Sequence, residues 1–296
     1  MQPKPRRTRR FTPSTKRTAK TIHATLLSAD GAGCNQDWAI ATPAAVIVLD
    51  GVSSPDDMDT GCVHGVRWYV RQLGAAILHE LTSDTSLRDC LARAIERVTA
   101  SHAATCDLTH TGTPSATVAI IREHESAWDY LVLSDTTIVF DCRSGLRVIS
   151  DASIDTVAVA ELRASRAHPT GTAEHTERIR QLIAAQRRVR NTPEGYWLAA
   201  TLPEAADHAI AGSIPRDDVR QAAALTDRAA RLVERFHITD WNGLLDILSS
   251  GGPPQLIHQL RQVEASDPEG HRWPRYRPSD DATVAYLTPG DTSTQR

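Results

Sequence analysis

Residues 46–54 read Val46-Ile47-Val48-Leu49-Asp50-Gly51-Val52-Ser53-Ser54. Four consecutive apolar residues run straight into a carboxylate and a glycine. A short unbroken apolar run bounded by turn formers is the mark of a strand buried on both faces. Such a strand has no room at its tip for an uncompensated charge. Asp50 is therefore either the start of an exposed Asp-Gly turn or a carboxylate facing a cation.

The sequence around this strand falls into blocks. Upstream, residues 22–28 and 37–41 predict two strands that precede the one at 44–49. Downstream, the turn-rich loop GVSSPDDMDTG leads to a helix whose apolar face is Val63, Val66, Val70, Leu73, Ile77 and Leu81. A second helix starts near Thr85 or Ser86, with Leu87, Leu91, Ala94, Ile95 and Val98 on its face. Short strands follow near 116–122, 128–134, 136–142 and 145–150, with Ser144-Gly145 turning the last hairpin. A polar stretch and a helix near 173–189 precede strands near 195–200 and 207–213. Residues 215–236 begin as strand or loop and become a helix. Helices near 241–249 and 253–264 precede a closing strand, DDATVAYL at 280–287. There is no internal repeat. Strands and helices in blocks, rather than alternating, predict an α+β fold of antiparallel sheets with helices outside.

The bulk properties narrow the function. The chain has 296 residues, and no run approaches the roughly 18–20 apolar residues of a membrane helix. The basic N-terminus is not followed by the apolar segment of a secretory signal. Residues 1–20 carry 8 Lys/Arg and no acid, leaving 25 Lys/Arg against 36 Asp/Glu elsewhere, a net of −11. A body this acidic argues against general nucleic-acid binding. Residues 1–20 lack apolar periodicity and read as a disordered, solvated basic tail, with a partner- or nucleic-acid-docking arm as the other reading. The folded part is then 21–290, with 291–296 a short tail. The five cysteines are odd in number and include no CxxC pair. Cys90 and Cys106 fall in helical patterns and read as small core residues. This spacing argues against a structural zinc site or a disulfide framework and for the reduced thiols of a cytoplasmic protein. The twelve histidines show no ligand spacing; His64 and His79 sit on the first helix.

Other acids are placed like Asp50. Asp37 stands at a strand edge, Asp135 at a strand end, Asp227 after an apolar stretch, and Asp280 and Asp281 open the last strand. Several carboxylates at the ends of apolar segments suggest tips converging on cations. Oxygen donors of this kind suit magnesium or manganese, and two such ions can clamp a phosphate and activate water. For Asp37 and Asp135 a turn or capping role is the alternative. Asp56, Asp57 and Asp59 read as a solvated acidic loop. A dehalogenase-type phosphatase would need a nucleophilic aspartate two residues before Asp50, where Val48 stands. No GxSxG elbow, HExxH pair or P-loop is present.

Five segments in order resemble the metal-dependent protein phosphatases of the type 2C (PPM) family. They are GCNQDWAIATPAAVIVLDGVSS…GCVHG, GTPSATVAII, YLVLSDTTIVF, AAALTDRAARLV and DDATVAYL, spanning residues 22–288. The resemblance implies an αββα sandwich of two antiparallel sheets, with two manganese or magnesium ions between them. By position, Asp50 would bridge both metals and the Gly51 carbonyl would bind one. Asp227 and Asp280 would hold the other, and Asp37 would ligate directly or act on a ligand. Asp135 matches a residue that supports a third, weaker metal. A metal-activated water would attack phosphorus in line, on a phosphoserine or phosphothreonine protein, with no covalent enzyme intermediate.

The chain also departs from the family pattern. Gln36 replaces a glutamate, the phosphate-gripping arginine is missing from Gly31-Ala32-Gly33, Val52 replaces a histidine seen in some members, and Arg228 stands where a glycine follows Asp227. Arg228 could supply the lost positive charge, and Asp281 competes with Asp280 as ligand. These departures motivate a second reading, a phosphatase-like regulatory or binding module with weak or no turnover. The segment 151–195 differs most from the family and is a candidate flap that sets specificity.

Overall fold

The computed structural model describes residues 21–290 apart from Ala32, Asp56, Ser83 and Glu125. The basic tail of 1–20, the 291–296 segment and Asp56 lie outside the described residues. Ten strands run in chain order: β1 Ile22–Ala29, β2 Trp38–Ala41, β3 Ala45–Gly51, β4 Ala116–Glu123, β5 Ala127–Leu133, β6 Thr137–Cys142, β7 Gly145–Ile149, β8 Ile210–Pro215, β9 Val219–Leu225 and β10 Ala282–Pro289. The α-helices are α1 Gly65–Glu80, α2 Leu87–His102, α3 Val159–Arg166, α4 Ala173–Val189, α5 Asp227–Glu234 and α6 Trp241–Ser266.

The strands form two five-stranded sheets, ordered β1-β10-β9-β6-β7 and β2-β3-β4-β5-β8. Every paired neighbour is antiparallel. Side chains alternate between faces along a strand, and β3 shows what this does. Ile47 and Leu49 pack on α1 and α2, while Val46 and Val48 pack toward the opposite sheet. Both faces are buried, which explains the unbroken apolar run. The opposite sheet does the same: Val284 and Leu225 meet α5 and α6, while Ala285 and Ala224 face inward. The architecture is α+β, a helix–sheet–sheet–helix sandwich.

Several sequence expectations need adjusting. Val63 is not on the first helix, which begins at Gly65, and it is 77% exposed. Cys106 lies beyond the end of α2 rather than on its core face. Residues 195–200 make only isolated bridges, Ala116 to Ala199 and Arg190 to Tyr196. There Asn191 takes over strand pairing: its side chain accepts from Leu198 N at 2.7 Å and donates to Leu198 O at 3.1 Å. The strand expected at 207–213 starts later, at Ile210, after a 3-10 turn at Pro203–His208. Helix α3 arises within the stretch read as polar, and its apolar side, including Leu162, packs on Ile179 and Leu182 of α4. The two helices expected near 241–249 and 253–264 are both present within α6, separated by a break at Gly252, where φ is 70° and two prolines follow.

The seam between β2 and α1 is tight. A Cβ added at Gly74 of α1 would sit 2.4 Å from the ring of Trp38. Gly74→Val should cost about 1–3 kcal/mol through overpacking, measured as a lower urea midpoint with an unchanged slope.

Candidate metal centre

The face alternation that buries Val46 and Val48 also aims Asp50 into the gap between the sheets. Its cross-strand neighbour is Thr117 of β4, whose buried hydroxyl has no hydrogen-bond partner among the described residues. Asp50 thus opens a cleft of about 430 Å³, which Asp37, Asp135, Asp227, Asp280 and Asp281 also line. All the acids singled out from the sequence meet in this one cleft.

Each reaches it by a local device. Asp37 precedes β2, and Thr283 of β10 donates to its carboxylate across the gap at 2.7 Å. Asp135 follows Ser134, which takes φ 68° in the turn between β5 and β6. Glycine adopts that conformation more cheaply than serine does. Asp227 is the first residue of α5, where the helix dipole favours a carboxylate. Asp280 and Asp281 lead into β10 but do different work. Asp281 accepts from the backbone amides of Gly31 and Gln36 at 2.9 and 2.7 Å and so ties the β1–β2 loop to β10. Asp280 instead lies 3.4 Å from Arg228 and 3.3 Å from Arg277.

The electrostatics divide the acids into two groups. Burial, then the charges of Asp281, Asp227 and Asp280, push Asp37 up to about 8. Burial and the charges of Asp37, Asp227 and Asp135 raise Asp50 well above the ordinary carboxylate range. Asp135 rises to about 7, through burial and then Asp227. Burial also opposes ionisation of Asp227, but Arg231 and Arg228 more than offset it and hold Asp227 low. Arg231 grips Asp227 at 2.6 Å, one helical turn along α5.

Sequence reasoning overlooked several cations. Arg231 is one, and its four-residue spacing from Asp227 was the available signal. Arg277 and Arg187 also line the cleft. Arg277 is 42% exposed and lies 3.5 Å from the Ser53 hydroxyl. Arg187 of α4 donates to Ser54 Oγ at 2.6 Å and to the Asp59 carbonyl at 3.0 Å. Arg228, the expected replacement for the missing arginine, is 1% exposed and turns to Glu264 of α6 at 3.1 Å and to Asp280. It braces α5 against α6 and does not open toward the cleft. Gln36 is tied up by the Ser53 hydroxyl, which donates to its Oε1 at 2.5 Å.

No family model and no curated protein matches the chain in sequence. Solved structures do match in shape. The catalytic domain of the serine/threonine phosphatase PstP, in complex with two manganese ions, covers 92% of this chain and 100% of its own, with TM-score 0.54 and 13% identity. The Mycobacterium tuberculosis phosphatase PstP/Ppp covers 90% of this chain and 98% of its own, with TM-score 0.53 and 13% identity. A Staphylococcus aureus serine/threonine phosphatase covers 95% and 100%, with TM-score 0.55 and 10% identity. The fold is that of the PPM-type Ser/Thr phosphatases.

The donor set fits hard divalent cations on one side of the cleft. Asp37 is buried and Asp50 and Asp135 are half-buried; these carboxylates repel one another and lack an arginine within ion-pair distance among the described residues. Oxygen ligands with uncompensated charge are what magnesium and manganese bind. On the other side, arginines already pair with Asp227 and Asp280, so a cation there has to displace or tolerate them.

The raised carboxylates set a pH dependence for the metal-free protein. A carboxyl whose pKa is higher in the folded state binds more protons folded than unfolded, so stability falls as pH rises between the two values. With Asp135 at about 7 and Asp37 at about 8, these groups should lower the Tm of chelated protein as pH rises from about 5 to 8. Manganese should restore more Tm at pH 8 than at pH 5, because at low pH it competes with protons for the same oxygens. Differential scanning fluorimetry across that range checks both.

Proposed function

We propose that the chain is a cytoplasmic, manganese- or magnesium-dependent phosphatase that hydrolyses phosphoserine or phosphothreonine in proteins, with residues 21–290 as its phosphatase-like domain. The observation that carries this reading is the group of buried and half-buried, mutually repelling carboxylates at the mouth of the sheet gap. In this assignment Asp50 and the Gly51 carbonyl hold the primary cation and Asp37 assists. Asp227 and Asp280 hold a second, and Asp135 supports a further weak one. The separate use of Asp281 by backbone amides favours Asp280 as the ligand. Divalent cations bound there would acidify water and offset the charge of a phosphate.

The chain's own groups supply the remaining functions. Arg277, part-exposed at the rim beside Ser53 and Asp280, is placed to bind phosphoryl oxygens. Asp37, whose carboxylate accepts from the Thr283 hydroxyl, is the cleft group assigned to hold or pass a proton as water attacks in line. Helix α4 and the turn before it form one wall of the cleft through His175, Ile179, Ile183 and Arg187. This wall comes from the segment expected to set specificity, and its apolar patch suits side chains flanking the phosphorylated residue.

A second reading, a regulatory or binding module with weak or no turnover, is favoured by Arg231 on Asp227 and Arg228 on Asp280. Those guanidinium groups neutralise the acids that a second metal would need. Isothermal titration with manganese separates the two readings. Binding of at least two ions with turnover supports the enzyme, and binding of one without turnover supports the module.

Under the enzyme reading, Asp50→Asn should reduce manganese-dependent phosphate release from a phosphothreonine peptide by at least about 100-fold. Full retained turnover in that variant would overturn the assignment. Arg277→Ala should raise KM about 10-fold, as expected for loss of a charge-assisted hydrogen bond, while the manganese titration stays unchanged.

A further inference from the structure

A second cluster lies outside the cleft. Helices α1 and α2 pack side by side, and the N-terminal approach to α1 meets the C-terminal end of α2. Cys62 and His64 come from the approach to α1, His64 flanking the helix directly. His102 is the last residue of α2, and Cys106 follows one turn later. Their four ligand atoms all lie within 4.8 Å of one another. Cys106 Sγ is 3.2 Å from Cys62 Sγ and 3.4 Å from His64 Nδ1. Cys62 Sγ is 3.7 Å from both His64 Nδ1 and His102 Nδ1.

From this geometry we infer a structural zinc site formed by Cys62, His64, His102 and Cys106. Zinc bonds of about 2.3 Å to sulfur and about 2.0–2.1 Å to nitrogen, arranged as a tetrahedron, separate neighbouring ligand atoms by about 3.3–3.8 Å. The sulfur–nitrogen spacings of 3.4–3.7 Å match these edges, and the two sulfurs at 3.2 Å would move apart by about 0.5 Å to bind the ion. Two thiolates and two imidazoles are a closed zinc ligand set, unlike the all-oxygen set of the cleft. The inference does not depend on whether the cleft is catalytic.

Three further observations point to the same ligand. His102 is 1% exposed, and its Nδ1 meets a sulfur at 3.7 Å. A sulfur contact is poor compensation for burying an imidazole, whereas a bond to zinc would supply it. The amides of His64 and Gly65 bear on the Cys62 sulfur, and that of Val63 on Cys106, as outer hydrogen bonds do around thiolate ligands. Trp68 stacks on His64 at 4.2 Å and lies 5.2 Å from His102, walling one side of the cluster.

The inferred site runs against the expectation, drawn from cysteine spacing, of no structural zinc. The signal was present as Cys-x-His before one helix and His-x3-Cys at the end of the next, a spacing outside the common finger patterns. Zinc here would close the loop that leaves Asp50. That loop carries Ser53, Ser54 and Pro55 into the cleft and offers the Asp59 carbonyl to Arg187. The ion would therefore hold one wall of the cleft without touching it.

The test uses the full chain, purified without chelator. Elemental analysis should find one zinc per chain that survives excess manganese, with Cys62 and Cys106 protected from a thiol reagent until a strong chelator is added. Cobalt put in place of zinc should give the intense visible and near-ultraviolet bands of a tetrahedral thiolate site. Cys106→Ser and His64→Ala should each lose the zinc and those bands, while Asp50→Asn keeps both. Freely reactive thiols with no zinc, a Cys62–Cys106 disulfide in peptide mapping, or cobalt spectra lacking thiolate bands would overturn the inference. The wild-type measurements decide it even if a variant fails to fold.

Discussion

Like-charged carboxylates crowded at the end of a dry gap are the constraint around which this structure is organised. At an effective dielectric of about 20, two such charges 4 Å apart repel by about 4 kcal/mol. Asp37, Asp50 and Asp135 feel that repulsion together with burial; Arg231 relieves Asp135 in part, and no arginine forms an ion pair with any of the three among the described residues. Nothing in the packing requires these groups to be acids. Under the proposed function, a bound divalent cation would outweigh this repulsion. The arginines on Asp227 and Asp280 relieve the same field from the outside. The cleft is therefore electrostatically lopsided, with exposed negative potential near Asp50 and a neutralised flank near α5.

The sandwich makes this crowding possible. Two sheets that bury both faces leave a seam whose interior is apolar, from Val48 and Ala119 on one side to Ala224 and Ala285 on the other. Polar groups can gather only where the strands run out. The acids come from five separate places along the chain, yet each lies within a residue or two of a strand end or opens a helix. The helices beyond the sheets brace those ends. Glu264 and Arg228 tie α6 to α5, and Arg261 of α6 donates to the Asp280 carbonyl at 2.8 Å.

Much of this was legible in the sequence because apolar periodicity and strand-end acids are local signals. The run at 46–49 announced a strand buried twice, and the blocks of strands and helices announced the layering. Asp37, Asp50, Asp135, Asp227 and Asp280 could be picked out one at a time, and the structure brings them to one cleft. What could not be read depended on three-dimensional neighbours. Arg277 matters because of what it faces, and nothing in its immediate sequence marks it; Arg231 is marked only by its four-residue spacing from Asp227. Residues 195–200 have strand-like composition, but the Asn191 side chain satisfies backbone groups that a ladder would have used. Cys62 and Cys106 are 44 residues apart, and only the side-by-side packing of α1 and α2 makes them neighbours.

The position of β10 has a consequence for how the protein is made. This strand, residues 282–289, lies between β1 and β9 rather than at an edge, and its register pairs Ile22 with Pro289 and Ala29 with Ala282. It also carries Thr283, the hydroxyl partner of Asp37. While the ribosome is still translating, β1 has no neighbour to pair with, and one sheet stands open between its first strand and the rest. The acids of the amino-terminal half are then already synthesised but still solvated and apart. Insertion of β10 closes this sheet through a long-range pairing. A chain that stops short of β10 lacks the strand that joins β1 to β9 and the Thr283 hydroxyl that donates to Asp37.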